Sequence, residues 1–217
     1  VQGMTCASCV GRVEKALRAV EGVKDATVNL ATERATIRGV AGTDDLIAAI
    51  EKVGYEASLV DTRGQNNVEA AEKKDAEKAA LKKDLVLATI LALPVFIMEM
   101  GSHLIPGMHQ WIMDTIGLQE SWYLQFVLTL LVLVIPGRRF YLKGIPALIR
   151  LGPDMNSLVS VGTLAAFGYS MVATFAPGLL PQGTVNVYYE AAAVIVALIL
   201  LGRFMEARAK GRTSEAI

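Results

Sequence analysis

The spacing of hydrophobic positions divides the 217-residue chain into a polar N-terminal part and a much more apolar remainder. Up to about residue 60, apolar residues recur with the short periods of amphipathic helices and half-buried strands. From Leu85 onward they form runs of about twenty residues, the length that crosses the hydrocarbon core of a bilayer. The pattern therefore predicts a small soluble domain, here called the head, followed by a helical membrane domain.

In the head, the pattern predicts helix, strand, strand, helix and strand in that order. The residues that carry it are a first helical stripe (Val10, Val13, Leu17, Val20), two alternating segments (Ala26 to Leu30, and Ala35 with Ile37), a second stripe (Leu46, Ile50, Val53) and a last alternating segment (Tyr55, Ala57, Leu59). One more strand at the front would complete a βαββαβ unit, but only Val1 and Gln2 precede the turn. We therefore predict for residues 1–60 an α+β ferredoxin-like domain whose first strand is largely missing.

The remainder of the chain predicts a connector and four membrane spans. Residues 61–84 are predicted as a polar linker, Asp61 to Asn67, and a charged helical stretch. The membrane domain, residues 85–217, carries predicted transmembrane helices at about 85–104, 122–141, 157–176 and 187–206. Pro136-Gly137 is expected to break the second apolar run near its cytoplasmic end.

The distribution of charge adds an orientation. The chain has 21 Lys+Arg and 21 Asp+Glu, so no basic excess indicates a nucleic-acid partner. Lys and Arg are absent from 85–137 and 151–202 and lie before, between and after these blocks. Because basic residues mark the cytoplasmic side, we predict a multi-pass protein of the cell membrane with both termini in the cytoplasm. The segment 138–151 between the blocks predicts an amphipathic interfacial helix, with a plain cytoplasmic loop as the alternative.

The two cysteines of the chain, Cys6 and Cys9, stand three residues apart where a loop meets the first predicted helix. Unpaired amides and the helix dipole favour a thiolate there. Two soft sulfurs with no neighbouring His or carboxylate suit a low-coordination soft ion such as Cu(I) better than Zn(II), which normally takes four ligands. A redox pair or two incidental thiols are the alternatives.

The segment Gly3-Met4-Thr5-Cys6-Ala7-Ser8-Cys9, with Val23 to Leu30 after the first helix, resembles the heavy-metal-associated domain of copper chaperones and copper-pumping P-type ATPases. The resemblance covers the whole head except its first strand. It implies Cu(I) held between Cys6 and Cys9, with Met4 packed under the loop. It also implies that the break at Pro136-Gly137 forms a platform, with Gly137, Arg138, Arg139 and Lys143, on which a cytosolic copper chaperone or the chain's own head docks.

In the membrane domain, Met155 and Glu206 both fall at the predicted cytoplasmic boundary, where a thioether and a carboxylate can receive an ion. The alternatives are a packing methionine and a carboxylate paired with Arg203 or Arg208. The family resemblance implies that Met155 and Glu206 form the metal entrance and that Glu190, with Met100, lies toward the exit. An outer cluster of Met and His residues is expected either to accept released copper or to pack as an apolar loop (Met98, Glu99, Met100, His103, Met108, His109, Met113).

Taken together, the sequence resembles the front portion of a Cu(I)-exporting P-type ATPase. The 217 residues contain no phosphorylatable-aspartate motif and no nucleotide-binding Gly-rich loop, so ATP and Mg²⁺ are expected to be used by the complete pump and not by this part. Two alternatives stay open. One is a Zn(II)- or Cd(II)-pumping relative, and the other is a non-enzymatic, membrane-bound copper-binding or sensing protein.

Overall fold

The computed structural model describes residues 1–4, 6–59 and 65–214, without the side chains of 65–74 and 210–214. Several sequence predictions concern residues outside this description. They are Thr5 of the cysteine motif, the linker residues 61–64, and the side chains of Lys73, Lys74, Lys210 and Arg212.

The head contains two helices and two strands in the predicted order. They are α1 (Ala7–Arg18), β1 (Val23–Asn29), β2 (Arg34–Gly39) and α2 (Thr43–Lys52). β1 and β2 pair antiparallel, with Asn29 opposite Arg34 beside the turn. Both helices cover one face of this hairpin. Their buried side chains meet the inner face of β1 in a single core (Met4, Cys9, Val13, Leu17, Ala26, Val28, Ile50).

The outer strands of the predicted ferredoxin-like unit are reduced to one contact. Gln2 and Glu56 form an isolated antiparallel bridge, in which the Gln2 amide donates to the Glu56 carbonyl at 2.7 Å. The described sheet has two strands, and the strand predicted from Tyr55 to Leu59 is wrong beyond this bridge.

The remainder of the chain is helical. The helices are α3 (Gln65–Leu104), α4 (Met108–Thr115), α5 (Leu118–Val134), α6 (Arg138–Ile149), α7 (Met155–Phe175) and α8 (Tyr189–Ser214). α3 begins inside the predicted linker and runs for 40 residues, with Pro94 in its interior. At 1.5 Å per residue it is about 60 Å long, so it reaches well beyond a bilayer core.

Among the described residues, two helices are long and apolar enough to cross a membrane, namely Asp75–Leu104 within α3 and the whole of α7. The number rises to three if α4 and α5 count as one span, although they meet at an angle of 93°. α8 carries ionisable side chains near both ends, and it does not meet the same criterion of length and composition. Helices thus cover all four predicted spans, while two or three of them qualify as membrane-crossing.

The membrane domain packs through small side chains. Ala88 and Ala92 of α3 lie in one buried cluster with Ala192 and Ala193 of α8, each at most 3% exposed. Small residues let helix backbones approach closely where no hydrophobic effect drives association. Leu81, Phe140 and Leu200 are buried in the same cluster, whereas other large apolar side chains are exposed, as expected of a lipid-facing surface (Ile90, Leu93, Leu130, Val134, Leu164, Leu198).

The break between α5 and α6 lies where Pro136-Gly137 predicted it. α5 ends at Val134, so the last residues of the predicted span 122–141 belong to the break and to α6. α6 then packs on α7 through Phe140 and Gly144, both buried. The fit at Gly144 is close, because a Cβ there would lie 2.4 Å from the Asn156 carbonyl oxygen.

We expect Gly144→Ala to lower the melting temperature of the chain in detergent. The added methyl group meets backbone atoms of α7 that cannot rotate away, and overpacking of this kind costs about 1–3 kcal/mol. Gly162→Ala on the exposed face of α7 is the matched control, because nothing lies within 4 Å of its Cβ position. An equal melting temperature for Gly144→Ala and the wild type would contradict the tight α6–α7 contact.

Candidate metal centre and its docking face

The two thiols lie together at the N-terminus of α1. Cys6 is the N-cap residue with an extended backbone, and Cys9 is in the first turn. Their Sγ atoms are 2.9 Å apart and are not joined in a disulfide. Cys9 is 1% exposed, whereas Cys6 is partly open to solvent. The site is therefore a pair of sulfur donors with one accessible side.

The surroundings of Cys6 favour the thiolate. Burial raises the pKa of the thiol, but hydrogen bonds to Cys9 and Ser8 and the backbone amides of Cys9 and Met155 outweigh it and lower the pKa. The thiolate is the form that binds metal. Because each metal–sulfur bond is about 2.3 Å long, an ion bound between the cysteines would require the sulfurs to move apart from 2.9 Å.

Tyr55, which the sequence reading did not single out, lies against the buried thiol. Burial raises the pKa of its phenol, and a hydrogen bond to Cys9 raises it further. Tyr55 therefore remains a neutral hydrogen-bond donor beside the sulfur pair. Met4 is 2% exposed in the head core, so it packs beneath the loop as the resemblance implied.

The sulfur loop faces the first turn of α7. The Met155 backbone amide acts on the Cys6 thiol, and the Arg12 guanidinium donates to the Pro153 carbonyl at 3.4 Å. A Cβ at Gly152 would lie 2.7 Å from the same guanidinium, so the Arg12 side chain is in direct contact with the loop before α7. The head is thus docked with its metal loop toward the predicted entrance.

A cleft of about 650 Å³ lies between the head and the end of α6. Its charged lining residues come from both sides (Arg12, Lys52, Glu56, Glu77, Lys143, Arg150, Asp154). The Arg150 guanidinium also approaches the head near Gly54, where a Cβ would lie 3.3 Å away. The contact is therefore polar, as suits two surfaces that separate again.

Of the four residues predicted for the platform, Lys143 lines this cleft. Arg139 instead forms a salt bridge of 2.9 Å with Asp84, which holds α6 to α3. Arg138 is exposed, and Gly137 is buried in the break, where a Cβ would lie 2.7 Å from the Leu133 carbonyl oxygen. The docking contacts come mainly from the end of α6 and from 150–154, which the sequence reading did not assign to the platform.

The first turn of α7 is fixed by side-chain hydrogen bonds. The Asp154 carboxylate accepts from the Ser157 amide at 2.9 Å in a capping box. Asn156 donates to Asp154 at 2.6 Å and accepts from Arg203 of α8 at 2.5 Å. Met155 is half-buried between these residues. The capping signature was readable from the spacing of Asp154 and Ser157, whereas Arg203 lies 47 residues away from its partner and gave no such signal.

Glu206, the other predicted entrance residue, is half-buried on α8, three residues beyond Arg203. Both therefore lie on the same side of α8, since residues three apart share a helix face. The hydrogen bond from Arg203 to Asn156 brings this side of α8 to the start of α7. Both predicted entrance residues thus belong to the helix ends that meet beneath the sulfur loop.

At the other end of α8, Glu190 is 9% exposed and its Oε2 atom has no hydrogen-bond partner among the described residues. A cavity of about 440 Å³ lies on this side, lined by most of the predicted outer cluster (Met98, Glu99, His103, His109, Met113). Met100 is half-buried on α3, and Met108 packs against Gly101. Within 1–4, 6–59 and 65–214, no three His, Cys, Asp or Glu residues converge as a metal site.

Comparison with known proteins identifies the head. Residues 1–56 match the heavy-metal-associated domain family. The whole chain is 58% identical to "Copper-transporting ATPase 1" of Rhizobium meliloti (strain 1021). It is 37% identical to "Copper-exporting P-type ATPase" of Bacillus subtilis (strain 168), and 37% identical to "Probable copper-importing P-type ATPase A" of Enterococcus hirae.

These matches cover 100% of the chain, but the chain spans only 26% to 28% of the length of these relatives. The chain therefore carries a heavy-metal-associated domain and is homologous throughout to one part of each copper-transporting P-type ATPase. The names of the relatives include both exporters and an importer.

We expect Arg12→Ala to loosen the docked head. The side chain donates a hydrogen bond to the loop before α7. Losing this bond would weaken docking by about 1 kcal/mol, which shifts the docking equilibrium about fivefold. Amide hydrogen exchange of the full chain, followed for peptides covering 150–156, should become correspondingly faster. Lys15→Ala on the exposed side of α1 is the control and should leave exchange unchanged. Equal exchange rates in both variants would contradict the docked arrangement.

Proposed function

We propose that this chain is the copper-receiving part of an ATP-driven Cu(I) export pump of the P-type ATPase class. The observation that carries the proposal is the placement of the Cys6–Cys9 pair against the start of α7. A heavy-metal-associated domain thereby presents its thiols to the membrane domain of a chain that is homologous to copper-transporting ATPases.

In this proposal Cu(I) moves by ligand exchange from the sulfur pair to Met155 and then to Glu206. Two thiolates bind Cu(I) as a complex with a net charge of −1, and they suit it as soft donors. The Met155 thioether is also soft but neutral, so it holds the ion more weakly. A carboxylate is harder still, and successive weaker ligands let the ion leave the head without a deep trap.

The proposed membrane arrangement has four spans with both termini in the cytoplasm. In it α8 is the fourth span, although this helix does not meet the criterion of length and composition. α8 carries Glu206 at its cytoplasmic end and Glu190 at its outer end. Sixteen residues separate the two carboxylates, about 24 Å along the axis and about 160° around it. They therefore lie on different faces of α8, and an ion must change face on its way toward Glu190 and Met100.

ATP, Mg²⁺ and the aspartyl-phosphate chemistry belong, in this proposal, to the complete pump. A cytosolic copper chaperone is the proposed source of the ion, and it would meet the same cleft of Lys143 and Arg150 that the head occupies. Export is our proposal for the direction of transport, since the relatives that match the chain include one named as an exporter and one named as an importer. The sulfur pair favours Cu(I) over the Zn(II)-pump alternative, since Zn(II) prefers four ligands.

We expect Cys9→Ser to weaken Cu(I) binding by the full chain at least about a hundredfold, because one of two thiolate ligands is lost and a hydroxyl is a poor ligand for a soft ion. Competition with a chelator of known Cu(I) affinity measures the change. Lys15→Ala, on the exposed side of α1, keeps both sulfurs and is the control. Tight Zn(II) binding that displaces Cu(I) at equal concentration would favour the zinc-pump alternative and contradict the proposal.

The membrane step needs its own measurement. In a Cys6→Ser, Cys9→Ser background, we expect the chain in lipid nanodiscs to retain a weak Cu(I) site. Adding Met155→Leu or Glu206→Gln should abolish it, because either change removes one of its two proposed ligands. Met171→Leu, on the exposed face of α7, is the control. Unchanged retention in both entrance variants would remove Met155 and Glu206 from the pathway.

A further inference from the structure

Arg203 is an unusual cation at the cytoplasmic end of α8. Its guanidinium lies over the Phe140 ring, with Cζ 5.2 Å from the ring centroid, and it donates to the side-chain amide oxygen Oδ1 of Asn156 at 2.5 Å. Its Nε atom is buried without a hydrogen-bond partner among the residues described. A buried charge with an unused donor is costly, so its retention needs an explanation beyond packing.

Acidic side chains surround this guanidinium. Asp154, Glu206 and Glu77 act on it with opposite charge, and Arg139 acts with like charge. The link to Asp154 runs through Asn156, which accepts from Arg203 and donates to Asp154 at 2.6 Å. Arg203 therefore lies between carboxylates on both sides of the proposed entrance.

Without a cation between them, these carboxylates would attract hydrated cations. Mg²⁺ and other hard cations prefer carboxylate oxygens, and an entrance lined by charges of one sign concentrates ions of the opposite sign. Copper presented by Cys6 and Cys9 differs from every free cation, because the Cu(I)–dithiolate complex carries a net negative charge. A fixed positive charge at the proposed entrance therefore repels free cations and attracts the sulfur loop when it carries Cu(I).

We infer that Arg203 is a specificity-determining residue of the entrance, which excludes hydrated cations from the Asp154–Glu206 region and favours copper delivered as an anionic thiolate complex. The assignment of Glu206 to the entrance rests on the proposed function. The packing on Phe140 holds the planar guanidinium in place, so the charge does not depend on a flexible side chain.

A purely structural role for Arg203 predicts something different. If the hydrogen bond to Asn156 only ties α8 to α7, any side chain that preserves this bond should serve. Arg203→Gln keeps an amide donor but loses the charge, whereas Arg203→Lys keeps both the charge and a donor. The two variants thus separate electrostatic exclusion from a structural tie.

The test uses Mn²⁺ as a hard, paramagnetic probe with the full chain in nanodiscs. Removing one positive charge close to a bound divalent cation strengthens binding of that cation by about an order of magnitude or more, even where solvent partly screens the charges. Arg203→Gln should therefore bind Mn²⁺ at least about tenfold more tightly than the wild type, as measured by water-proton relaxation. Arg203→Lys should stay within about threefold of the wild type. Arg208→Gln, an exposed arginine of the same helix, removes the same charge and is the control.

In Arg203→Gln, the additional change Glu206→Gln should return Mn²⁺ affinity to the wild-type range. Equal Mn²⁺ affinity in Arg203→Gln and Arg208→Gln would overturn the inference, and so would an Arg203→Lys variant that behaves like Arg203→Gln. The proposed function is tested separately by Cu(I) retention at Met155 and Glu206. If Cu(I) retention does not depend on Met155 or Glu206 while the Mn²⁺ affinities change as expected, the proposed copper pathway is wrong and the electrostatic role of Arg203 stands.

Discussion

The hydrogen-bonded first turn of α7 is the interaction on which the arrangement of the other parts depends. Asp154 caps the helix through Ser157, and Asn156 links that cap to α8 through Arg203. The same turn is pressed against α6 at Gly144. Because every one of these contacts involves buried or half-buried polar atoms, a displacement of the turn would leave several of them without partners. The contacts of this turn consequently hold α6, the start of α7 and α8 together.

The head relates to this unit in a different way. Its own core is apolar and small, while its contact with the membrane domain consists of a guanidinium–carbonyl hydrogen bond and a polar cleft. Such contacts are individually weak, which is compatible with the proposed role of the head in delivering copper. The interactions within the membrane domain are thus stronger than those that hold the head to it.

Local features of the sequence predicted the sulfur pair, the two head helices, the hairpin and the break at Pro136-Gly137, because each depends on residues a few positions apart. The outer strands were not predictable in the same way, since Gln2 and Glu56 pair over a long separation and pairing needs neighbours on both sides to extend. The docking role of Arg12 and the contact of Tyr55 with Cys9 depend on tertiary geometry. The sequence likewise marked four apolar runs, with Glu190 and Glu206 near the ends of the last, yet it did not show that Arg203 of α8 would bond Asn156 of α7, because that contact depends on how the two helices pack.

Those ionisable residues give α8 opposite electrostatic characters at its two ends. Near Glu206, Arg203 offsets nearby carboxylates, whereas at the other end of α8 Glu190 is buried with one oxygen unpaired among the described residues. In the proposed function, Cu(I) arrives in an anionic dithiolate complex and becomes a cation as it leaves the thiolates. A buried carboxylate is a favourable environment for that cation. If the chain acts as proposed, the charge pattern of α8 would therefore favour movement of Cu(I) from the head toward Glu190, which is the direction that the proposed export requires.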